Sequence, residues 1–195
     1  MDERYPNVGC ELKYNKDYEL VIAVMLSAQT TDVSVNKVTA ILFDNYQNLN
    51  DLAKAKLEDI EDIIRSIGLY KNKAKNVLGI ANALIDNYGG VLPSDKDELQ
   101  KLPGVGNKTA GVIRAEIFKI PDLPVDTHIL RISKRLKLAD TSDDAYAVEM
   151  KLKRLIEESK WIKTHHQLIH FGRDFCTARN PQCKNCKISG FCTKK

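Results

Sequence analysis

Four of the five cysteines, Cys176, Cys183, Cys186 and Cys192, fall within the last twenty residues in the spacing C-x6-C-x2-C-x5-C. Four thiolates in one short stretch can hold either a zinc ion or a [4Fe–4S] cluster, because both take tetrahedrally disposed sulfurs. Zinc sites usually pair two C-x2-C knuckles. Only Cys183 and Cys186 form such a pair here, which favours iron–sulfur. A secreted disulfide scaffold spreads its cysteines along the chain, whereas this crowding, with Cys10 standing alone, points to a metal site in a reducing compartment. Residues 176–195 also carry Arg179, Lys184, Lys187, Lys194 and Lys195 and no acidic residue. That is the charge pattern of a phosphate-facing surface, although Lys194 and Lys195 read better as a solvated tail.

A second constellation is Leu102-Pro103-Gly104-Val105-Gly106-Asn107-Lys108-Thr109-Ala110. Its glycines permit a left-handed turn and close approach of an outside group to the backbone. The helix that follows presents unpaired N–H groups and the positive end of its dipole, which together suit a phosphate. A nucleotide-binding P-loop requires glycine directly before the Lys-Thr pair, and Asn107 occupies that place. A dinucleotide fingerprint requires a preceding strand and a third glycine where Thr109 stands. A helix-hairpin-helix fits, its amides gripping a DNA backbone phosphate without reading sequence. Lys108 is a cation in the first turn of a helix, opposed to the dipole. Position alone leaves two readings open, a phosphate contact or an amine tuned for nucleophilic attack. Asp126 stands at the start of a later helix, where an aspartate is an ordinary N-cap and can serve chemistry as well.

The elements that must position these groups read as helices almost everywhere. Ile60, Ile63, Ile64 and Ile67 recur at helical spacing, with Gly68 as a stop. A second stripe from Ala74 through Val77, Ala81 and Leu84 to Tyr88 ends at Gly89-Gly90. Ser94 and Asp97 resemble a capping box ahead of Leu99 and Leu102. Further helices are expected over 17–27, 32–45, 108–118, 126–138, 143–158 and 161–175. No segment alternates as a strand does, so the predicted class is all-α.

The chain has 195 residues, 43% of them apolar, enough to bury a core without disulfides. Its net charge of +4 permits a polyanionic partner without requiring one. The first residues have no signal-peptide core, and the longest apolar run, Leu20 to Leu26, is too short for a bilayer. The expected protein is soluble and intracellular, in the cytoplasm or nucleoid, neither secreted nor membrane-bound.

Taken together, Leu26-Ser27-Ala28-Gln29-Thr30-Thr31-Asp32, Ile67-Gly68-Leu69-Tyr70, Leu102 through Ala110, Val125-Asp126-Thr127-His128 and the four-cysteine tail resemble the endonuclease III family in order and spacing. The resemblance runs from about Tyr18 onward. It implies a two-lobed helix-hairpin-helix DNA glycosylase fold. A six-helix domain would span about residues 10–120, and a helical domain built from residues 1–9 and 121–195 would surround a [4Fe–4S] cluster. It further implies Lys108 as catalytic lysine, Asp126 as catalytic aspartate, and the four cysteines as cluster ligands. Gln29 and Leu69 would fill the gap left by a flipped nucleotide. Leu102, Gly104, Val105 and Gly106 would bind DNA through the hairpin, and Arg179 would face the DNA backbone. Gln100 stands where the family often has an acidic residue, and Gly111 where it often has asparagine.

The implied activity is base excision from duplex DNA containing damaged or abasic sites, with oxidised pyrimidines as targets. Strand cleavage would follow by β-elimination through a lysine Schiff base, and a monomer is the default state. A lysine must be neutral to attack, and at a pKa near 10.4 only about one in 2,500 is neutral at pH 7. Burial and the helix N-terminus are the expected aids. Two rivals remain: a mismatch-specific monofunctional glycosylase, which generally lacks a lysine at this position, and a non-catalytic zinc-stabilised DNA-binding module. The four histidines, His128, His165, His166 and His170, read as packing and hydrogen-bonding residues.

Overall fold

The run from Leu20 to Leu26 is apolar on every side, and a helix of that kind has no face to give to water. It forms the central part of α1 (Asp17–Leu26), where every residue from Glu19 onward is buried. The computed structural model describes residues 1–193, so the tail reading for Lys194 and Lys195 lies outside the described residues. Among the described residues there are helices, turns and loops and no strand, in agreement with the all-α class. No helix is long and apolar enough to cross a membrane.

The chain divides into two units, Glu11–Phe118 and Met1–Cys10 with Lys119–Lys195. In the first, α1 packs against α2 (Asp32–Asn45), α5 (Tyr70–Tyr88) and α7 (Asn107–Ile117). The short α3 (Leu49–Ala53) and α4 (Leu57–Ile64) lie on α5, and α6 (Lys96–Gln100) lies on α7. Ile60, Ile64 and Ile67 are buried as their spacing requires. The stop differs from the sequence reading: α4 ends at Ile64, and the left-handed residue is Leu69, not Gly68. Gly89 and Gly90 do end α5, both with positive φ, and the Gly90 N–H donates to the Leu84 carbonyl at 2.8 Å. The Gly89 N–H reaches the same carbonyl, the six-to-one bond that a Schellman ending uses. At α6 the cap is Asp95 rather than Ser94, its carboxylate accepting from the Asp97 and Glu98 amides. An aspartate one residue nearer the helix outcompetes the serine because its charge also favours the dipole.

The second unit contains α8 (Thr127–Arg135), α9 (Ala145–Leu155) and α10 (Trp161–His170). Its core joins Leu123, Val125, Ile129, Ile132, Val148, Leu152, Leu168 and Phe171, with Tyr5 from the N-terminal segment. The helix expected over 161–175 changes at Phe171 into a single π turn, Phe171–Phe175, and ends just before Cys176. The segment leading into α8 is anchored by charge. Asp122, 1% exposed, pairs with Lys153 Nζ at 2.5 Å, and the same ammonium reaches buried Glu149 at 2.6 Å. Removing one member of a buried ionic group leaves uncompensated charge behind. Lys153→Ala is therefore expected to destabilise this unit by about 3 kcal/mol, read as a lowered thermal unfolding midpoint, with Asp122→Asn/Lys153→Met less harmful than Lys153→Ala alone.

Candidate functional site

The hairpin is built from the inside. Leu102 and Val105 are buried, so the turn between α6 and α7 is pinned by two apolar side chains, while Gly104 and Gly106 lie exposed. The Val105 N–H donates to the Leu102 carbonyl at 3.1 Å and closes the turn. Gly104 has φ +75°, and a Cβ there would lie 2.5 Å from Asn76 Nδ2, so both conformation and space demand glycine. Gly106 has φ −94°, which any residue can adopt, and a Cβ there would meet nothing within 4 Å. Gly106 caps α7 without a side-chain acceptor, and the first turn of α7 contains no acidic residue.

Lys108 sits half-buried in that first turn. None of the described residues hydrogen-bonds or ion-pairs with its amine, so the dipole's repulsion is not offset locally. In the second unit, Asp126 is the N-cap of α8. Its Oδ1 accepts from the His128 N–H at 2.9 Å and the Ile129 N–H at 2.8 Å, which leaves Oδ2 without a partner among the described residues. Asp126 is thus the N-cap that the sequence suggested, with one carboxylate oxygen spent on the cap and the other outside it. The loop before it is held at Pro124, whose carbonyl lies 2.8 Å from Nδ1 of buried His165.

The cysteine loop is organised from α8. Arg131 Nη2 donates to the carbonyls of Gly172 at 2.8 Å and Cys176 at 3.0 Å. Arg135 Nη1 donates to the Thr177 carbonyl at 2.8 Å and to Cys176 Sγ at 3.1 Å, and its Nη2 to the Ala178 carbonyl at 3.0 Å. Cys176, Cys183, Cys186 and Cys192 line one partly open hollow, whose other walls include Ile132, Leu136, Phe171, Phe175 and Ile188. Among the described residues no three His, Cys, Asp or Glu side chains converge closely enough to hold a single ion. Arg179 is exposed between Cys176 and Cys183.

Gln29 and Leu69 are both non-glycine residues in the left-handed region, at φ +56° and +60°. Left-handed backbone outside glycine is uncommon, and in a leucine it marks strain of the kind that gathers at functional positions. Both are exposed, Leu69 to 60%. Sequence reasoning missed the residue that joins them. Lys73, 4% exposed, sends its ammonium to the Ala28 carbonyl and Thr30 Oγ1, each at 2.8 Å. Burial pushes its pKa below the ordinary lysine value. The signal was present in the pattern: Lys73, Val77, Ile80 and Leu84 fall at i, i+4, i+7 and i+11, so the lysine occupies a core-facing place. Gln100 is exposed and Gly111 buried, and nothing in the structure explains either departure from the family's pattern.

Residues 22–158 match the model of the HhH-GPD superfamily base excision DNA repair proteins. The endonuclease III of Bacillus subtilis (strain 168) is 45% identical over 190 residues, covering 97% of this chain and 87% of that protein. The fold is also similar, at TM-score 0.96 and 46% identity, to a non-covalent endonuclease III–DNA complex, with 98% of this chain and 90% of that one covered. A trapped covalent endonuclease III–DNA intermediate matches with the same TM-score, identity and coverage.

The two hairpin glycines separate fold from ligand. Gly104→Ala is expected to lower the thermal midpoint. Gly106→Ala is expected to change stability by no more than about 0.5 kcal/mol yet weaken retention of duplex DNA about tenfold, one lost phosphate grip. Melting curves and fluorescence anisotropy read the two effects.

Proposed function

The chain belongs to the endonuclease III family within the HhH-GPD base excision DNA repair superfamily, and on that premise we propose that Lys108 and Asp126 carry its chemistry. It is a DNA glycosylase and abasic-site lyase. What carries the assignment of Lys108 is its place in an uncapped first turn, directly after a two-glycine hairpin whose apolar residues are buried.

A base stacked in duplex DNA is out of reach, so the nucleotide must be extruded, at a cost that is lowest for a damaged, poorly stacked base. Oxidised pyrimidines are the targets we assign. The hairpin amides around Gly104 and Gly106 hold a phosphate of the DNA backbone, and exposed Arg179 adds a second backbone contact. Gln29 and Leu69 enter the gap.

The Lys108 amine gives its lone pair to C1′ while the bond from C1′ to the base breaks. The base departs with that electron pair and takes up a proton. The Asp126 carboxylate, through the oxygen not spent on the cap, stabilises the positive charge that develops on the sugar and receives the proton lost by the lysine. Opening of the C1′–O4′ bond, with O4′ taking up the proton held by Asp126, leaves an iminium. Loss of a C2′ proton then expels the 3′ phosphate as the C3′–O bond breaks, and water releases Lys108 from the product. A monofunctional mismatch glycosylase would have no use for an amine at this position.

We assign the hollow lined by Cys176, Cys183, Cys186 and Cys192 to a [4Fe–4S] cluster held by those four residues. The chemistry of the donor set supports it: four cysteines lining one hollow, apolar walls, and a guanidinium N–H on the Cys176 sulfur to offset thiolate charge. When bound, the cluster supplies a four-point cross-link of the loop. Arg135 orients the first of those ligands.

Borohydride reduction on a duplex carrying thymine glycol tests the lysine directly. A covalent protein–DNA band is expected from the parent and none from Lys108→Ala, while Asp126→Asn is expected to slow base excision by about 100-fold or more. Cys186→Ser is expected to cost the purified protein its yellow-brown colour and bound iron. A colourless, iron-free parent protein containing zinc would overturn the cluster assignment.

A further inference from the structure

Lys73 is an expensive residue to place where it is. Its side chain is buried, it lies in the first turn of α5, where no acidic residue offsets the dipole, and no carboxylate pairs with it among the described residues. An apolar side chain of similar length would serve packing better, since a buried charge is rarely justified by stability alone. Its hydrogen bonds all converge on two strained positions. The ammonium grips Ala28 and Thr30, the residues on either side of Gln29, at 2.8 Å each. Its backbone N–H donates to the carbonyl of Leu69 at 3.1 Å. The Gln29 side chain itself makes no hydrogen bond among the described residues and stands exposed. A turn with a left-handed glutamine at its tip would relax unless its flanks were tied, and Lys73 ties both.

We propose that Lys73 is a positioning residue for nucleotide extrusion, locking the Ala28–Thr30 turn so that Gln29 is presented to the duplex beside Leu69. The proposal rests on the reading of Gln29 and Leu69 as gap-filling residues. Lys73 touches no DNA in it. The ammonium supplies directional donors to a carbonyl and a hydroxyl, and the alignment of Gln29 follows from the fixed geometry of its two neighbours.

Lys73→Met keeps an unbranched chain of similar reach and removes every donor. Single-turnover excision from duplex thymine glycol is expected to fall about 10- to 100-fold, while cleavage of an abasic site in single-stranded DNA, which has no gap to fill, stays within about threefold of the parent. With 2-aminopurine opposite a tetrahydrofuran abasic analogue, the fluorescence rise at saturating protein is expected to disappear in the variant. Thr30→Ala, which removes one acceptor, should act in the same direction with a smaller effect, and the double variant should be less than additive. If Lys73→Met yields no folded protein, Thr30→Ala carries the test, and parental duplex excision by it overturns the proposal. Equal losses on duplex and single-stranded substrates would reduce Lys73 to a structural residue. Parental duplex excision by Lys73→Met, alongside a clear loss in Gln29→Ala, would overturn the proposal alone. Parental excision by Gln29→Ala would overturn the gap-filling reading beneath it.

Discussion

Irregular backbone next to a reactive group has carbonyls that no helix satisfies, and a buried carbonyl without a donor costs as much as a lost hydrogen bond. This chain meets that constraint with long cationic side chains reaching out of regular helices. Arg131 and Arg135 of α8 donate to the carbonyls of Gly172, Cys176, Thr177 and Ala178, where the π turn gives way to the cysteine loop. Lys73 of α5 does the same for Ala28 in the turn between α1 and α2. In each case the cation has been spent on neutral oxygens instead of a carboxylate. The gain is rigidity in a place where secondary structure cannot provide it.

Much of this was legible in the sequence because it depends on local rules. The glycines of the hairpin, the capping role of Asp126 and the apolar stripes of α4 and α5 follow from turn chemistry, caps and helical period. The cysteine spacing pointed to four residues acting together, and all four line one hollow. What stayed hidden depends on tertiary surroundings. Asp95 outcompetes Ser94 as a cap by charge and position. The five residues of α3 are too few for a period to show. The π turn has no sequence signature, and the left-handed place fell to Leu69 although Gly68 was the residue better suited to it. Lys73 is the instructive miss: a lysine is read by habit as a solvated residue, and only its register with Val77, Ile80 and Leu84 told otherwise.

The two residues proposed for catalysis show how one group can be placed for structure and chemistry together. Asp126 spends one carboxylate oxygen on two amides of α8 and keeps the other. The capped oxygen fixes the direction of the free one, so no additional residue is required to orient it. Lys108 is the converse. The first turn of α7 contributes no capping acceptor and no acid, so this helix end is short of negative charge, and in the proposed function an anionic backbone supplies it beside the amine.

Helix α8 joins two of these arrangements on one rod. Asp126 caps its start and Arg135 lies nine positions later, about two and a half turns along at 3.6 residues per turn. The carboxylate and the guanidinium therefore leave the helix in nearly opposite directions, and each is committed to a fixed partner set, amides at one end and the Cys176 loop at the other. Deleting or inserting one residue between them would swing one end by about 100° relative to the other. Drift in the length of this segment over evolution is thus forbidden in single steps, even though its solvent-facing side chains can vary freely.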